Sequence, residues 1–241
     1  MDENITFALI HSPLVGPFTW ELVHQVMNER NLQVKVPALD DNPNSNLPYW
    51  QQHAESVAQS LVQIPPSQKV ILVAHSGAGP LLPAIRQKLT RSIFAYVFVD
   101  AGIPRDGQSR LDLMKLEDPQ WGGQFHETLL NGEQFPTWTE DDLEEIIPDG
   151  ETRRKLVAEI RPRSLSFFIE PIPVFAGWPD AACIYIKFSV SYDWDAMQAK
   201  QTGWPVYEMN AGHFHMLVEP LAVADFISNA VQKLLDAPIP K

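Results

Sequence analysis

The stretch Val70-Ile71-Leu72-Val73-Ala74-His75-Ser76-Gly77-Ala78-Gly79 decides the fold. Its first five residues are an apolar run of the length of a buried strand. The next five are rich in small side chains, and Pro80 opens a helical pattern reaching about Leu89. Proline is tolerated in a first helical turn, where its missing N–H costs little. A serine on so tight a strand-to-helix turn takes strained dihedrals, and the residues two before and two after it must be small for the chains to cross. Ala74 and Ala78 meet that condition. The turn would lift the Ser76 hydroxyl above a sheet, beside a free Gly77 N–H at a helix start that favours negative charge. A motif this short also recurs by chance, so its position after a third apolar run matters. His75 reads as the tolerated residue of the turn, its side chain directed away from Ser76.

Working outward, residues 5–10, 33–36 and 93–99 are further short apolar runs. Between them Trp20, Val23 and Met27, and then Trp50, Ala54, Val57, Leu61 and Ile64, recur at helical spacing. This alternation predicts an α/β fold, a three-layer α/β/α sandwich around a mostly parallel sheet. The rhythm stops after Asp100. Residues 104–178 show no convincing strand, only short acidic helical pieces (139–147 and 151–160) and many aromatic residues, which predicts a helical cap. Strands resume at 183–188 and 205–209, and a helix carrying Leu221, Ala224, Ile227, Val231 and Leu234 closes the chain. The expected division is a core of 1–103 and 179–241, with 104–178 inserted, around a sheet of about six strands.

Composition narrows the partners. The 241 residues carry 18 Lys+Arg against 30 Asp+Glu, a formal net charge of -12. Such a surface repels phosphate backbones and anionic membranes, so neither nucleic acid nor a membrane is an expected partner. Cys183 is the single cysteine and fits a reducing compartment. The start, Met1-Asp2-Glu3-Asn4, has no basic region, and no apolar run approaches the roughly 20 residues of a membrane span. These features predict a soluble, cytoplasmic protein. His213 and His215 lack an acidic cluster nearby, so no metal and no cofactor are expected.

With these elements in place, the chain resembles the α/β-hydrolase family. The resemblance runs from the first strand and its His11-Ser12-Pro13-Leu14-Val15-Gly16-Pro17-Phe18-Thr19-Trp20 loop to the closing helix. It implies that the chain starts at what is normally the third strand, without the usual two antiparallel strands. It also implies that the base is His213, in Asn210-Ala211-Gly212-His213-Phe214-His215. A serine hydroxyl needs such a base to take its proton. His215 is the competitor, read as packing locally, while His24, His53 and His126 lie in helical stretches without a motif.

The resemblance leaves the acid open. Asp193 follows the strand where most family members carry it, although only 20 residues separate it from His213. Asp100 ends the strand after the serine helix, the position used by some lipases. Asp195 is a third candidate. The His11-Ser12-Pro13-Leu14 loop matches one that usually donates a second N–H to the oxyanion, beside Gly77. Ser12 replaces the usual glycine, and Pro13 has no N–H to give. Leu14 N–H or the Ser12 hydroxyl must substitute, since one lost donor costs about 3 kcal/mol.

These readings predict a serine hydrolase that cleaves an ester or thioester of a small, largely apolar compound through an acyl-enzyme on Ser76. The alternatives are a hydroxynitrile lyase-like enzyme, a cyclase- or thioesterase-like biosynthetic enzyme, and a slow-turnover ligand receptor. The lyases usually carry lysine where this chain has Phe214, which counts against them. Arg153, Arg154, Arg161 and Arg163 could hold a phosphate or coenzyme A tail, but a solvated face is the preferred reading. A homodimer is left open.

Overall fold

β1 (Ile5–Ile10) is buried along its whole length, as a strand covered on both faces must be. A computed structural model describes residues 4–236, so Met1–Glu3 and the last five residues, on which part of the reading of the chain ends rests, lie outside it. After β1 come α1 (Phe18–Glu29), β2 (Gln33–Lys35), α2 (Tyr49–Ser60), β3 (Lys69–Ser76), α3 (Leu82–Lys88) and β4 (Ile93–Ala101). Then follow α4 (Arg110–Glu117), α5 (Pro119–Leu130), α6 (Gly150–Ala158) and α7 (Leu165–Phe168). The chain returns to the sheet through β5 (Ala182–Lys187), α8 (Asp193–Gln201), β6 (Val206–Glu208) and α9 (Pro220–Asp236).

The six strands form one sheet in the order β2-β1-β3-β4-β5-β6, every neighbouring pair parallel. Side chains alternate across a strand, and here both sides are apolar. Phe7, Leu9, Ile71, Val73 and Val97 face a cluster with α1 and α9. Ala8, Ile10, Leu72, Ala74, Tyr96 and Phe98 face the opposite cluster with α2, α3 and α8. The result is the three-layer sandwich that the alternation predicts.

Between β4 and β5 the described residues contain helices and no strand. Three of these helices, α4, α5 and the short α7, were not legible in sequence. α4 starts at a Ser109–Asp112 capping box, and α5 at Asp118, whose carboxylate accepts from Gln120 N and Trp121 N. The piece at 139–147, expected to be helical, forms a single short turn at Asp141–Leu143 instead. There the Asp142 carboxylate closes back on Thr139 N and Oγ1, and Pro148 follows directly. A small aromatic core of Leu111, Phe125, Leu129, Phe167 and Phe168 holds this region together.

The inserted segment is fastened to the sheet layers by charged groups. Glu159 accepts from Phe18 N at 2.8 Å and Glu170 from Tyr49 N at 2.9 Å, so each carboxylate satisfies a helix N-terminus. Arg163 grips Asp41 with two bonds of 2.9 and 2.6 Å, and Arg161 donates to Leu39 O. This corrects the solvated-face reading of the arginines. Arg163 is buried, Arg161 and Arg153 donate to backbone carbonyls, and among the four Arg154 is the one that is largely exposed. No described helix is long and apolar enough to cross a membrane.

Candidate active site

Ser76 ends β3 with φ of +57°, a left-handed conformation that a non-glycine residue rarely adopts. The turn that follows packs hard against the end of β4. A Cβ on Gly79 would meet Gly102 O at 2.1 Å, so this position must be glycine. Among the described residues the Gly77 N–H has no hydrogen-bond partner. Ser76 and Gly77 line a cavity of about 630 Å³, which His213 also lines.

Of the carboxylates left open, Asp100 is the one at His213. β4 delivers it with φ of +44° and no exposed surface. One carboxylate oxygen accepts from Phe188 N (2.7 Å) and Ser189 N (3.0 Å), the other from Ser189 Oγ (2.6 Å) and His213 Nδ1 (2.9 Å). Hydrogen bonding of the ring Nδ1–H to a carboxylate fixes the tautomer that leaves Nε2 as an acceptor. Asp193 does not take part. It opens α8 and pairs with Lys187 at 2.5 Å, its side chain more than half exposed. The 20-residue interval is long enough after all, because α8 has nine residues and β6 three. Asp195 is buried against Ile103 N at the cavity wall, and burial pushes its carboxyl up to about 7.

Two residues close around the imidazole that sequence reasoning did not assign. Tyr192 stacks on the His213 ring (centroids 5.1 Å apart, planes 10° apart), and its Oη lies 3.0 Å from Ser76 Oγ. Burial raises the pKa of Tyr192, so it keeps its proton at neutral pH. In this state the hydrogen-bond partner of Ser76 Oγ is Tyr192, and His213 Nε2 has none among the described residues. On the other side, His75 packs its ring 4.4 Å from that of His213 and donates from Nε2 to His213 O. Burial holds His75 well below its ordinary pKa and therefore neutral. Its side chain thus supports His213, as a residue directed away from Ser76 can.

The His11–Leu14 loop divides in two. His11 is fully buried, donating from Nδ1 to Ser12 O and accepting from Leu39 N on Nε2. Burial lowers its pKa to about 4, so it is a neutral strut for the loop. Ser12 Oγ accepts from Leu14 N at 3.4 Å and sits 3.1 Å from where a Cβ on Gly77 would be. Leu14 and Gly77 reach the cavity wall, whereas His11 and Ser12 stand behind it. His215 lies 3.9 Å from Glu219, and no group of residues suited to a metal ion occurs among the described residues.

Comparison with known proteins agrees with this architecture. A model of the alpha/beta hydrolase family matches residues 13–226. Methylesterase 17 of Arabidopsis thaliana is 25% identical over 181 residues, 70% of this chain and 64% of that protein. The chain therefore aligns with less than two thirds of the curated relatives it matches. An extracellular alpha/beta-hydrolase from a Paenibacillus species superposes with a TM-score of 0.73 at 19% identity, over 94% of this chain and 98% of the other. The methylesterase MES16 from Arabidopsis gives 0.66 at 17% identity, over 95% and 99%.

Proposed function

Because the chain belongs to the alpha/beta hydrolase family, we propose that it is a serine esterase acting on a small, largely apolar carboxylic ester, through an acyl-enzyme on Ser76. The observation that carries this reading is the strained Ser76 turn in one cavity with a His213 whose Nδ1 is bound by a buried carboxylate. In the proposed cycle Ser76 leaves Tyr192, passes its proton to His213 Nε2 and attacks the ester carbonyl. Asp100 stabilises the imidazolium that results. Gly77 N–H stabilises the oxyanion together with Leu14 N–H, which turns from Ser12 Oγ to do so, and His213 returns the proton to the departing alcohol. Water then repeats the sequence on the acyl-enzyme.

The relatives named methylesterases favour a methyl ester as the bond cleaved. The inserted segment 104–178 serves as the cap. Leu113, Met114, Trp121, Phe135 and Trp138 from it line the cavity, an apolar wall suited to a small organic acyl group. The test is active-site labelling with a fluorophosphonate, read by intact mass, alongside hydrolysis of p-nitrophenyl butyrate. One label and measurable turnover are expected, both lost in Ser76→Ala. Hydrolysis persisting in Ser76→Ala overturns the assignment.

A further inference from the structure

The wall of the Ser76 cavity is acidic. Glu117, Asp118, Asp142 and Asp195 line it, and the one lysine or arginine in that lining, Arg110, has all its guanidinium nitrogens sealed inside the protein. Two of the four carboxylates have structural duties. Asp118 accepts from Gln120 N and Trp121 N, and Asp142 from Thr139 N and Oγ1. Glu117 has no such duty. It makes no hydrogen bond or ion pair among the described residues, although it ends α4, where the helix dipole disfavours negative charge. The charge that acts on it is that of Asp118, and no cation compensates it.

Asp195 is the second unexplained carboxylate, and it is only 5% exposed. One of its oxygens accepts from Ile103 N at 2.9 Å. The other has no partner among the described residues and is not among the unpaired atoms sealed from solvent, so its free surface opens onto the cavity that Asp195 lines. Arg105 is the cation whose charge acts on Asp195, yet its guanidinium donates to Gln198 Oε1 and lies 5.0 Å from the Trp194 ring, without an ion pair to the carboxylate. Burial, with the charge of Glu117 behind it, pushes Asp195 up to about 7. Glu117 and Asp195 also both act on Tyr192, whose Oη is 3.0 Å from Ser76 Oγ. The uncompensated pair therefore stands near the reacting serine.

We propose that Glu117 and Asp195 form a subsite for a protonated amine, and that the ester turned over at Ser76 carries such a nitrogen on its otherwise apolar body. The ammonium donates an N–H to the free oxygen of Asp195, a charge-assisted bond, and Glu117 adds a second opposite charge. Buried charges are ordinarily paired, and this ligand supplies both the donor and the charge that the pair lacks. Trp121 and Trp138 line the same cavity, and aromatic rings attract a cation near their faces. A metal ion fits less well: no group of three His, Cys, Asp or Glu suited to one occurs among the described residues, and hard divalent cations take about six oxygen ligands. The subsite stands on the two unpaired carboxylates, while the substrate class also rests on the esterase reading.

The experiment compares methyl 4-(dimethylamino)butyrate, a cation at pH 8, with its neutral carbon isostere methyl 5-methylhexanoate. Both are offered to the wild type as substrates, each kcat/KM corrected for the ester's own alkaline hydrolysis rate, and to Ser76→Ala as ligands by calorimetry. The wild type is expected to prefer the amine ester at least tenfold, the worth of one charge-assisted hydrogen bond. The double variant Glu117→Gln/Asp195→Asn should lose that preference; asparagine keeps an acceptor for Ile103 N, so the fold has no reason to fail. The net charge of -12 attracts any cation, so Glu151→Gln, which removes an exposed carboxylate outside the cavity, is the control and should leave the ratio within about twofold. No preference in the wild type, a preference kept by the double variant, or an equal loss in Glu151→Gln overturns the proposal. Binding of the amine ester to Ser76→Ala that needs Glu117 and Asp195, without turnover by the wild type, sinks the esterase reading and keeps the subsite. Equal turnover of the two esters does the reverse, and no binding of the amine ester to Ser76→Ala refutes the subsite.

Discussion

Replacing Asp100 by asparagine tests the geometry of the site most sharply, because the carboxylate faces donors alone. Four of them converge on it, the two backbone N–H groups of Phe188 and Ser189 on one oxygen and Ser189 Oγ–H and His213 Nδ1–H on the other. Asparagine keeps one acceptor oxygen and brings an NH2 donor. The backbone N–H groups cannot reverse, so the amide oxygen must face them and the NH2 must face Ser189 and His213. The serine hydroxyl can rotate to accept. The imidazole can accept only by moving its proton from Nδ1 to Nε2, where it can no longer take a proton from Ser76. A wrong-tautomer change of this kind in a Ser-His-Asp site lowers kcat about 10⁴-fold, which corresponds to about 5 kcal/mol of transition-state stabilisation. The assay is kcat/KM on p-nitrophenyl butyrate, with a thermal melt to confirm that Asp100→Asn is folded. Asp193→Asn, which loses only an exposed pair with Lys187, should stay within about twofold of wild type. A folded Asp100→Asn that retains a tenth of the activity, or an inactive Asp193→Asn, refutes this assignment.

Two further outcomes follow from the same geometry. Tyr192→Phe keeps the ring stack on His213 and removes the bond that holds Ser76 Oγ. A net hydrogen bond is worth about 1 kcal/mol, so fluorophosphonate labelling of Ser76 should quicken about two- to tenfold; slower labelling would mean that Tyr192 activates Ser76. For Asp195, burial raises the pKa from 3.8 to about 7. The folded protein therefore binds the proton more tightly than the unfolded chain, and stability is lost as pH rises between about 4 and 7. Asp195→Asn should remove a penalty on the order of 4 kcal/mol above pH 7 and little below pH 4. Thermal melts at pH 4.5 and pH 8 check this, and an equal shift at both refutes it.

The sheet was legible because strands buried on both faces write themselves as continuous apolar runs. That held for β1, β3 and β4, whose opposite sides enter separate cores. α4 was not legible for the converse reason. Leu111 and Met114 reach the small aromatic core, but the stripe through Arg110, Leu113 and Glu117 lines a cavity instead, so charged residues stand where apolar ones would mark a helix. Ser76 was legible from its neighbours, since a turn this tight restricts side-chain size on both sides. The carboxylate was not. Asp100 lies at the C-terminal end of β4 and Asp193 beyond the C-terminal end of the neighbouring β5, and only the packing between β4 and the loop after β5 separates them.

That packing also explains how Tyr192 comes to lie on the imidazole. β4 and β5 are neighbours, paired through Val99 and Ile186, so a carboxylate one residue beyond Val99 lies beside the first residues after β5. Those residues supply the donors that hold it, from Phe188 N, Ser189 N and Ser189 Oγ. The carboxylate at His213 thus comes from β4, and the next turn of the loop after β5 carries Tyr192 over His213 and onto Ser76. The imidazole is then fixed by Asp100 at Nδ1, by the Tyr192 ring on one side and by His75 on the other. Preorganisation of that kind matters because a catalytic group displaced by about 1 Å costs on the order of 10²-fold in rate. With the carboxylate at His213 supplied by β4, the loop after β5 encloses the imidazole instead of carrying that carboxylate.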